Sequence, residues 1–212
     1  MGIHAFFKSL NELERIFRAP GKFKFEEHNI SSHSFKVAQY AQFLGTVEES
    51  KGEKINWKSL YEKALNHDYA EVFIGDIKTP VKYASSELRT QLLEVEEAMT
   101  KKFIDKHIPD EFRALYREKL KEGKDNSVEG KILQVADKMD QVYEAYQELQ
   151  RGNTESGFVT MYQEALSAIE NVELHCVTYF MENILPDMLN EQHIFAVDLR
   201  RITHEVLRKE GK

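Results

Sequence analysis

The chain has 212 residues, of which 42% are hydrophobic and 31% are charged, and its formal net charge is -7. This balance is typical of a folded globular protein and argues against intrinsic disorder. Basic residues are scattered along the sequence, which argues against binding to polymeric nucleic acid but is compatible with a small anionic ligand. The length predicts one domain spanning residues 1–212.

Cysteine usage and the N-terminal segment favour a cytoplasmic protein. Cys176 is the one cysteine, so the chain forms no internal disulfide and has no cysteine pair for a structural zinc site. The first segment interrupts its apolar residues with Lys8, Asn11 and Glu12. That mixture is typical neither of a signal peptide nor of a membrane span, so we expect a cytoplasmic protein with no membrane partner.

Helical spacing begins near the N-terminus. Apolar residues recur every three or four positions from Phe6 to Phe17, and Pro20-Gly21 ends this first helix. Ser31-Ser32 offers N-cap oxygens for a second helix, which we expect to end near Gly45. His33 therefore lies in the first turn of that helix.

The next helices follow recognisable start signals. Asn56 caps a third helix, and the adjacent pair His67-Asp68 falls near its C-terminal end. Residues 69–83 are less regular and contain turn signals, and loops between helices often carry chemistry. Ser85 or its neighbour Ser86 starts a fourth helix, and Pro109 opens a shorter fifth one.

Three helices are predicted after residue 127. A long amphipathic helix ends near Gly152 and carries Asp137. The following helix runs from Glu155 toward Ile184, and the last one spans Glu191 to Leu207. The predicted fold is therefore all-α, a helical bundle of about eight helices.

Asp137 lies next to apolar residues on the long helix. A buried carboxylate needs a cation, because burying an uncompensated charge costs several kcal/mol. A bound metal ion is one source of that charge. The alternative is that Asp137 and Asp140 are solvated residues of an amphipathic helix.

The pair His67-Asp68 is followed by Glu71, one helical turn beyond His67. Imidazole nitrogens and carboxylate oxygens together suit zinc, manganese, iron or cobalt, and such an ion lowers the pKa of a water molecule. Each candidate ligand taken alone also has an ordinary structural interpretation. His33, for example, is by itself typical of a surface or core histidine. His28 is interpreted as a solvent-facing loop histidine rather than a ligand of a second metal.

Several motifs together resemble one enzyme family. The run from His67 to Tyr83 is similar to the HD-x-x-E-x-x-x-G-D-x-x-T-P-x-K-Y run of the bacterial 5'-deoxynucleotidase group, and the segment 29–34 resembles that group too. Arg18 and Pro20 match its Arg-Trp-Pro sequence. Four residues resemble the H…HD…D signature of the all-helical HD superfamily of metal-dependent phosphohydrolases: His33, His67, Asp68 and Asp137.

The resemblance implies hydrolysis of nucleoside 5'-monophosphates, preferably deoxyribonucleotides, by a metal-activated water. It implies that the four signature residues bind one divalent transition metal and that Glu71 acts as acid or base with Asp68 and Arg18. A homodimer is also expected from the resemblance. The residues implied at the nucleotide are Arg18, Ala19, Asp68, Asp76, Lys78, Thr79 and Asp137.

Ala19 departs from the family pattern, which has Trp after the arginine. In that family the aromatic ring packs close to the sugar and helps to exclude a 2'-hydroxyl group. A methyl group leaves this space open to ribonucleotides or larger phosphate esters, unless Phe17 or Phe23 fills it. Two alternatives are an HD-type phosphodiesterase or pyrophosphohydrolase acting on another small nucleotide, and a nucleotide-binding protein without turnover.

Overall fold

The computed structural model describes residues 2–82, 84–121, 123–191 and 197–209, without the side chains of residues 79, 80 and 209. Eight helices of ten or more residues occur in these ranges, and the β-structure there is limited to an isolated bridge between Phe17 and Asn29. The all-α prediction is confirmed. The helices are α1 (His4–Leu13), α2 (Ile30–Ser50), α3 (Trp57–Asn66), α4 (Glu71–Ile74), α5 (Thr79–Lys82), α6 (Ser86–His107), α7 (Asp110–Lys119), α8 (Val128–Gln150), α9 (Ser156–Glu170), α10 (His175–Tyr179), α11 (Leu185–Asn190) and α12 (Leu199–Lys209).

The chain divides into two compact units. The first unit comprises Met1–Lys22, Glu27–Phe35 and Glu62–Gly123, and the second comprises Phe23–Glu26, Lys36–Tyr61 and Lys124–Lys212. Helices α2 and α3 contribute residues to both units. A single domain over residues 1–212 stays a prediction.

An apolar cluster at the core of the first unit fixes the segment that follows His67-Asp68. Tyr69 is 2% exposed, and its ring lies 5.4 Å from that of Phe6 on α1. Its hydroxyl group shares a 2.6 Å hydrogen bond with Ser9. The buried members of this cluster are Phe6, Leu13, Ile30, Tyr69, Ile104, Ile108 and Leu120.

Helices α8 and α9 pack together in the second unit, and one face of α8 carries a row of buried carboxylates. Asp137 accepts a hydrogen bond from the Lys124 ammonium group at 2.8 Å, and Asp140 pairs with Lys36 at 2.9 Å. The alternative that Asp137 and Asp140 are solvated is wrong, because a cation compensates each of them inside the fold. The row consists of Asp137, Asp140, Glu144 and Glu148, none more than 4% exposed.

Glu148, the last carboxylate of this row, holds a loop segment in place. It accepts hydrogen bonds from the backbone N–H groups of Phe25 and Glu26, each at 3.0 Å. The side chain of Asn153 donates a third hydrogen bond at 2.8 Å. Donors from two parts of the chain therefore satisfy a fully buried charge.

The first two helices differ from their predicted limits. Helix α1 ends at Leu13, although the helical spacing of apolar residues extends to Phe17. The apolar residues Ile16 and Phe17 therefore lie beyond the end of the helix. Helix α2 begins at Ile30, and its N-cap is Asn29, whose side-chain oxygen accepts from the Ser32 N–H at 2.8 Å. The predicted serine caps were wrong, since an asparagine one turn earlier supplies the same acceptor.

Helix α2 also continues past Gly45, where the prediction ended it. A Cβ atom on Gly45 would lie 3.0 Å from side-chain atoms of Leu60 and Trp57. The glycine therefore permits close packing of α3 against α2 instead of ending the helix. The predicted caps at Asn56 and Ser85 are confirmed, because they accept from the N–H groups of Ser59 and Leu88.

The C-terminal helices are more divided than predicted. Helix α9 ends at Glu170. A π-type turn at Phe180–Ile184 leads directly into α11, and Pro186 is the second residue of α11. A widened turn suits proline, which has no N–H group for the usual helical hydrogen bond. The last helix begins at Leu199 rather than at the predicted Glu191.

Part of the segment between Glu191 and Leu199, residues 192–196, lies outside the described residues. Across the described ranges, no helix combines the length and the hydropathy that a membrane crossing requires.

Candidate metal centre and active site

Three of the predicted metal ligands converge in the first unit. His33 lies in the first turn of α2, as the sequence predicted, and is fully buried, and His67 follows the last residue of α3. Their Nε2 atoms lie 3.1 Å apart, and each lies 3.3 Å from Oδ2 of Asp68. Within the described part of the chain, these residues form the group able to bind one metal ion.

The spacing of these donors suits a divalent transition metal. Bonds of about 2.0 to 2.1 Å in tetrahedral geometry place neighbouring ligand atoms roughly 3.3 Å apart. Nδ1 of His67 lies 3.0 Å from the carbonyl oxygen of Ala64, which only accepts, so Nδ1 carries the hydrogen. When Nε2 of His67 carries no hydrogen, its lone pair faces His33 and Asp68, as a metal ligand requires.

The electrostatics of Asp68 keep it ionised. Burial opposes its charge, but the charges and hydrogen bonds of His67 and His33 outweigh burial and hold the pKa of Asp68 well below its usual range. Nη1 of Arg18 lies 3.6 Å from the same carboxylate oxygen. Asp68 is therefore available as an anionic ligand, and Arg18 brings a planar set of donors to its edge.

Glu71, the first residue of α4, lies in a different environment. Burial raises its pKa from 4.5 to about 8, and the charges of Asp68 and Asp76 add to this effect against Arg18 and Lys82. Its Oε2 atom is buried without a hydrogen-bond partner. Glu71 therefore carries a proton at neutral pH and can transfer it to an incoming ligand.

Glu71 also predicts how stability changes with pH. The pKa of Glu71 is about 8 in the folded state and has its ordinary value of 4.5 in the unfolded state. Between these two pH values, the folded chelator-treated protein retains a proton that the unfolded protein has lost. The free energy of unfolding should fall as the pH rises through this interval. Glu71→Gln removes the titration and should stabilise the protein at about pH 9, by at most about 5 kcal/mol.

Thermal unfolding of both proteins at about pH 4 and about pH 9 measures this difference. The two melting temperatures should converge at the acidic pH, because wild-type Glu71 is then protonated in both states. Equal differences at both pH values would show that Gln changes packing rather than charge.

The turn after α1 brings Arg18 and Ala19 to residues from the segment before α5. Ala19 has a positive φ of 49°, and its N–H group donates to Oδ2 of Asp76 at 2.8 Å. The N–H group of Arg18 donates to the carbonyl oxygen of His28 at 2.8 Å. His28 is 6% exposed, so its predicted solvent-facing position is wrong: it packs inside the first unit and lies outside the metal-binding group.

The remaining predicted residues have different surroundings. Lys78 is exposed beside Gly21, and Thr79 begins α5, with a side chain outside the described residues. Asp137 is buried in the second unit. Sequence reasoning missed Lys82, which acts on the pKa of Glu71, although the matched run 67–83 contained it.

A scan against protein families matches residues 5–188 to the model described as 5'-deoxynucleotidase YfbR-like. The chain belongs to the YfbR-like 5'-deoxynucleotidase family. It is therefore a hydrolase, and the predicted resemblance is confirmed.

Known members and solved structures support this assignment. A 5'-deoxynucleotidase of Klebsiella pneumoniae is 30% identical over 183 residues, which cover 85% of this chain and 90% of that protein. The structure of an HD-domain phosphohydrolase from Listeria innocua is 56% identical, with a TM-score of 0.93, and covers 99% of this chain and 100% of that one.

A more distant structure shares the fold. The HD phosphohydrolase DatZ of cyanophage S-2L, solved with dA and one catalytic Zn²⁺ ion, is 16% identical with a TM-score of 0.62. The match covers 87% of this YfbR-like chain and 96% of DatZ.

Proposed function

We propose that this YfbR-like protein hydrolyses nucleoside 5'-monophosphates to nucleoside and phosphate. Water attacks phosphorus, the bond from phosphorus to the 5'-oxygen breaks, and the leaving oxygen takes up a proton. One observation carries the proposal: two histidines and an ionised aspartate converge at metal-ligand spacing, near a glutamate that holds a proton at neutral pH. Membership of the 5'-deoxynucleotidase family supplies the substrate class.

The metal would be held by His33, His67 and Asp68, and we propose Asp137 as a fourth ligand from its match to the family signature. Cobalt, manganese, zinc and iron suit this donor set. When bound, such an ion polarises the phosphate and lowers the pKa of a water molecule.

The protein's own residues supply the rest of the chemistry. Arg18 binds phosphate oxygens through its fork of donors, and Glu71 gives its proton to the leaving 5'-oxygen. We assign Asp76, Lys78 and Thr79 to the nucleotide by resemblance. The methyl group of Ala19 leaves room beside the sugar, so ribonucleotides should be accepted together with deoxyribonucleotides.

We further propose that the enzyme acts in the cytoplasm as a homodimer. The single cysteine supports a reducing compartment, and the family resemblance supports pairing. Light scattering of the purified protein measures its mass directly, and a monomer across micromolar concentrations would contradict the dimer.

A phosphate-release screen tests the reaction, the sugar preference and the metal together. Ribo- and deoxyribonucleoside monophosphates, cyclic dinucleotides and nucleoside triphosphates are each assayed with cobalt, manganese, zinc or iron. Free phosphate is measured for the monophosphates, and loss of substrate by chromatography is measured for all three classes. Release of phosphate from monophosphates supports the proposal. Faster turnover of cyclic dinucleotides or triphosphates would favour a phosphodiesterase or pyrophosphohydrolase, and binding without turnover would favour a nucleotide-binding protein.

A further inference from the structure

The backbone of Arg18 is held from one side by the segment that precedes α2. Its N–H group donates to the carbonyl oxygen of His28 at 2.8 Å, and the preceding residue, Phe17, forms the isolated bridge with Asn29. All four residues belong to the first unit. These contacts fix the chain as far as Arg18, but they do not fix the direction that it takes afterwards.

The residue after Arg18 has a backbone conformation that needs support. Ala19 has a φ of 49°, in the left-handed region that residues other than glycine rarely adopt. Such a conformation persists where the surrounding structure holds it. Asp76 supplies this support, because its Oδ2 atom accepts the N–H group of Ala19 at 2.8 Å. A carboxylate acceptor makes the hydrogen bond stronger than one between neutral groups.

Asp76 is itself placed by the end of α4. Gly75 has a φ of 73°, and its N–H group donates to the carbonyl oxygen of Glu71 at 2.8 Å, which closes the helix. A Cβ atom at residue 75 would meet no atom within 4 Å, so the glycine is needed for its φ rather than for space. The turn at Gly75 therefore sets the direction from which Asp76 reaches Ala19.

The segment 68–76 contacts Arg18 and Ala19 at both of its ends. Nη1 of Arg18 lies 3.6 Å from Oδ2 of Asp68, and Asp76 binds the N–H group of Ala19. The guanidinium group lies at the end of a long side chain, so a change in backbone direction at residues 18 and 19 displaces it. Displacement of a substrate-binding group by about 1 Å is enough to lower turnover substantially.

We propose that Asp76 is a positioning residue, which acts on the substrate phosphate by holding the turn at Ala19 and with it the direction of Arg18. The inference rests on the proposed nucleotidase function, in which Arg18 binds the phosphate. The resemblance assigns Asp76 to the nucleotide, and the geometry makes that assignment an indirect one. A direct contact between Asp76 and the nucleoside is the alternative that the experiment distinguishes.

Two substrates separate the phosphate from the nucleoside. Deoxyadenosine 5'-monophosphate contains both, whereas p-nitrophenyl phosphate is a phosphate ester without sugar or base. Asp76→Ala should lower kcat/KM by on the order of 10-fold on both substrates, because a displaced Arg18 binds either phosphate less well. Asp76→Asn retains a side-chain oxygen that can accept the N–H group of Ala19, so it should recover most of this loss.

A double-mutant cycle assigns the effect to Arg18. In an Arg18→Ala background, Asp76→Ala should change kcat/KM by less than about 2-fold, since the side chain that Asp76 positions is already absent. The charge of Asp76 also raises the pKa of Glu71, and a loss through that route would persist without Arg18. The matched control is Asp105→Ala, which removes a hydrogen-bonded aspartate of α6 in the same unit and should have wild-type kcat/KM.

Cobalt binding separates this role from damage to the metal centre. Asp76 lies outside the metal-binding group of His33, His67 and Asp68, so Asp76→Ala should bind cobalt with wild-type affinity. Weaker cobalt binding in this variant would place its effect at the metal centre and contradict the proposal.

Three kinetic results would also overturn the proposal: a loss confined to the nucleotide, a loss of the same size in the Arg18→Ala background, or an Asp76→Asn variant as impaired as Asp76→Ala. The first of these would place Asp76 at the nucleoside itself.

The role of Asp76 can be decided even if the proposed reaction fails. If neither substrate is hydrolysed, the nucleotidase proposal is contradicted separately, and the cobalt-loaded protein is titrated with inorganic phosphate in a calorimeter. The same titration replaces the kinetics if p-nitrophenyl phosphate alone is not hydrolysed. Weaker phosphate binding in Asp76→Ala than in Asp76→Asn supports the positioning role, and equal binding in Asp76→Ala and the wild type contradicts it.

Discussion

Replacing Glu71 by Gln is expected to lower kcat for phosphate release by on the order of 100-fold or more. Glutamine retains the shape and burial of the side chain but has no proton to transfer to the leaving 5'-oxygen. Burial and the charges of nearby carboxylates raise the pKa of Glu71 in the metal-free protein, which favours the acid form, whereas glutamine has no acidic proton. Initial rates on the best substrate of the screen, at saturating metal, measure the loss.

Metal content separates this role from damage to the metal centre. Glu71→Gln should bind the same amount of metal as the wild type, measured by elemental analysis after dialysis. Glu87→Gln is the matched control, since Glu87 is an exposed glutamate of α6 and should have wild-type kcat. Full activity of Glu71→Gln, or metal loss from it, would remove Glu71 from the proton-transfer role.

His67→Ala should weaken metal binding by on the order of 100-fold or more and reduce phosphate release to background. The substitution removes one of the converging nitrogen ligands and leaves His33 and Asp68 without their shared partner. Titration with cobalt, monitored by its visible absorption, measures the affinity directly. The control is His28→Ala, a buried histidine of the same unit outside the metal-binding group.

The same titration tests the proposed fourth ligand. Asp137→Ala should weaken cobalt binding in the same direction as His67→Ala, whereas Asp140→Ala, one turn further along α8, should not. Wild-type affinity in Asp137→Ala would restrict the metal ligands to His33, His67 and Asp68. Weaker binding in His28→Ala equal to that in His67→Ala would instead indicate a general loss of folding.

Local signals in the sequence were sufficient for much of the fold. Asn56 and Ser85 cap helices where predicted, because N-cap hydrogen bonds reach only three residues along the chain. The predicted end of α2 at Gly45 was wrong, because it depended on a contact distant in the sequence. The role of this glycine depends on the packing of Trp57 and Leu60, which a pattern of turn residues does not encode.

The residue types of the candidate site were predictable from the sequence, but the burial of these residues and their pKa values were not. The spacing of His67, Asp68 and Glu71 indicated ligands and a nearby acid. The burial that separates the pKa values of Asp68 and Glu71 arises from tertiary packing, so it had no sequence signal. The contact between Gly21 and Lys78 likewise joins residues far apart in the chain.

The row of buried carboxylates on α8 has a consequence for the alignment of that helix. The burial of an apolar face is non-directional, so it does not by itself assign one partner to each residue. Asp137, Asp140 and Glu148 instead each match one partner: Lys124, Lys36 and the N–H groups of residues 25 and 26. A shift of one turn would leave three buried charges unmatched, so these residues specify a single register for α8.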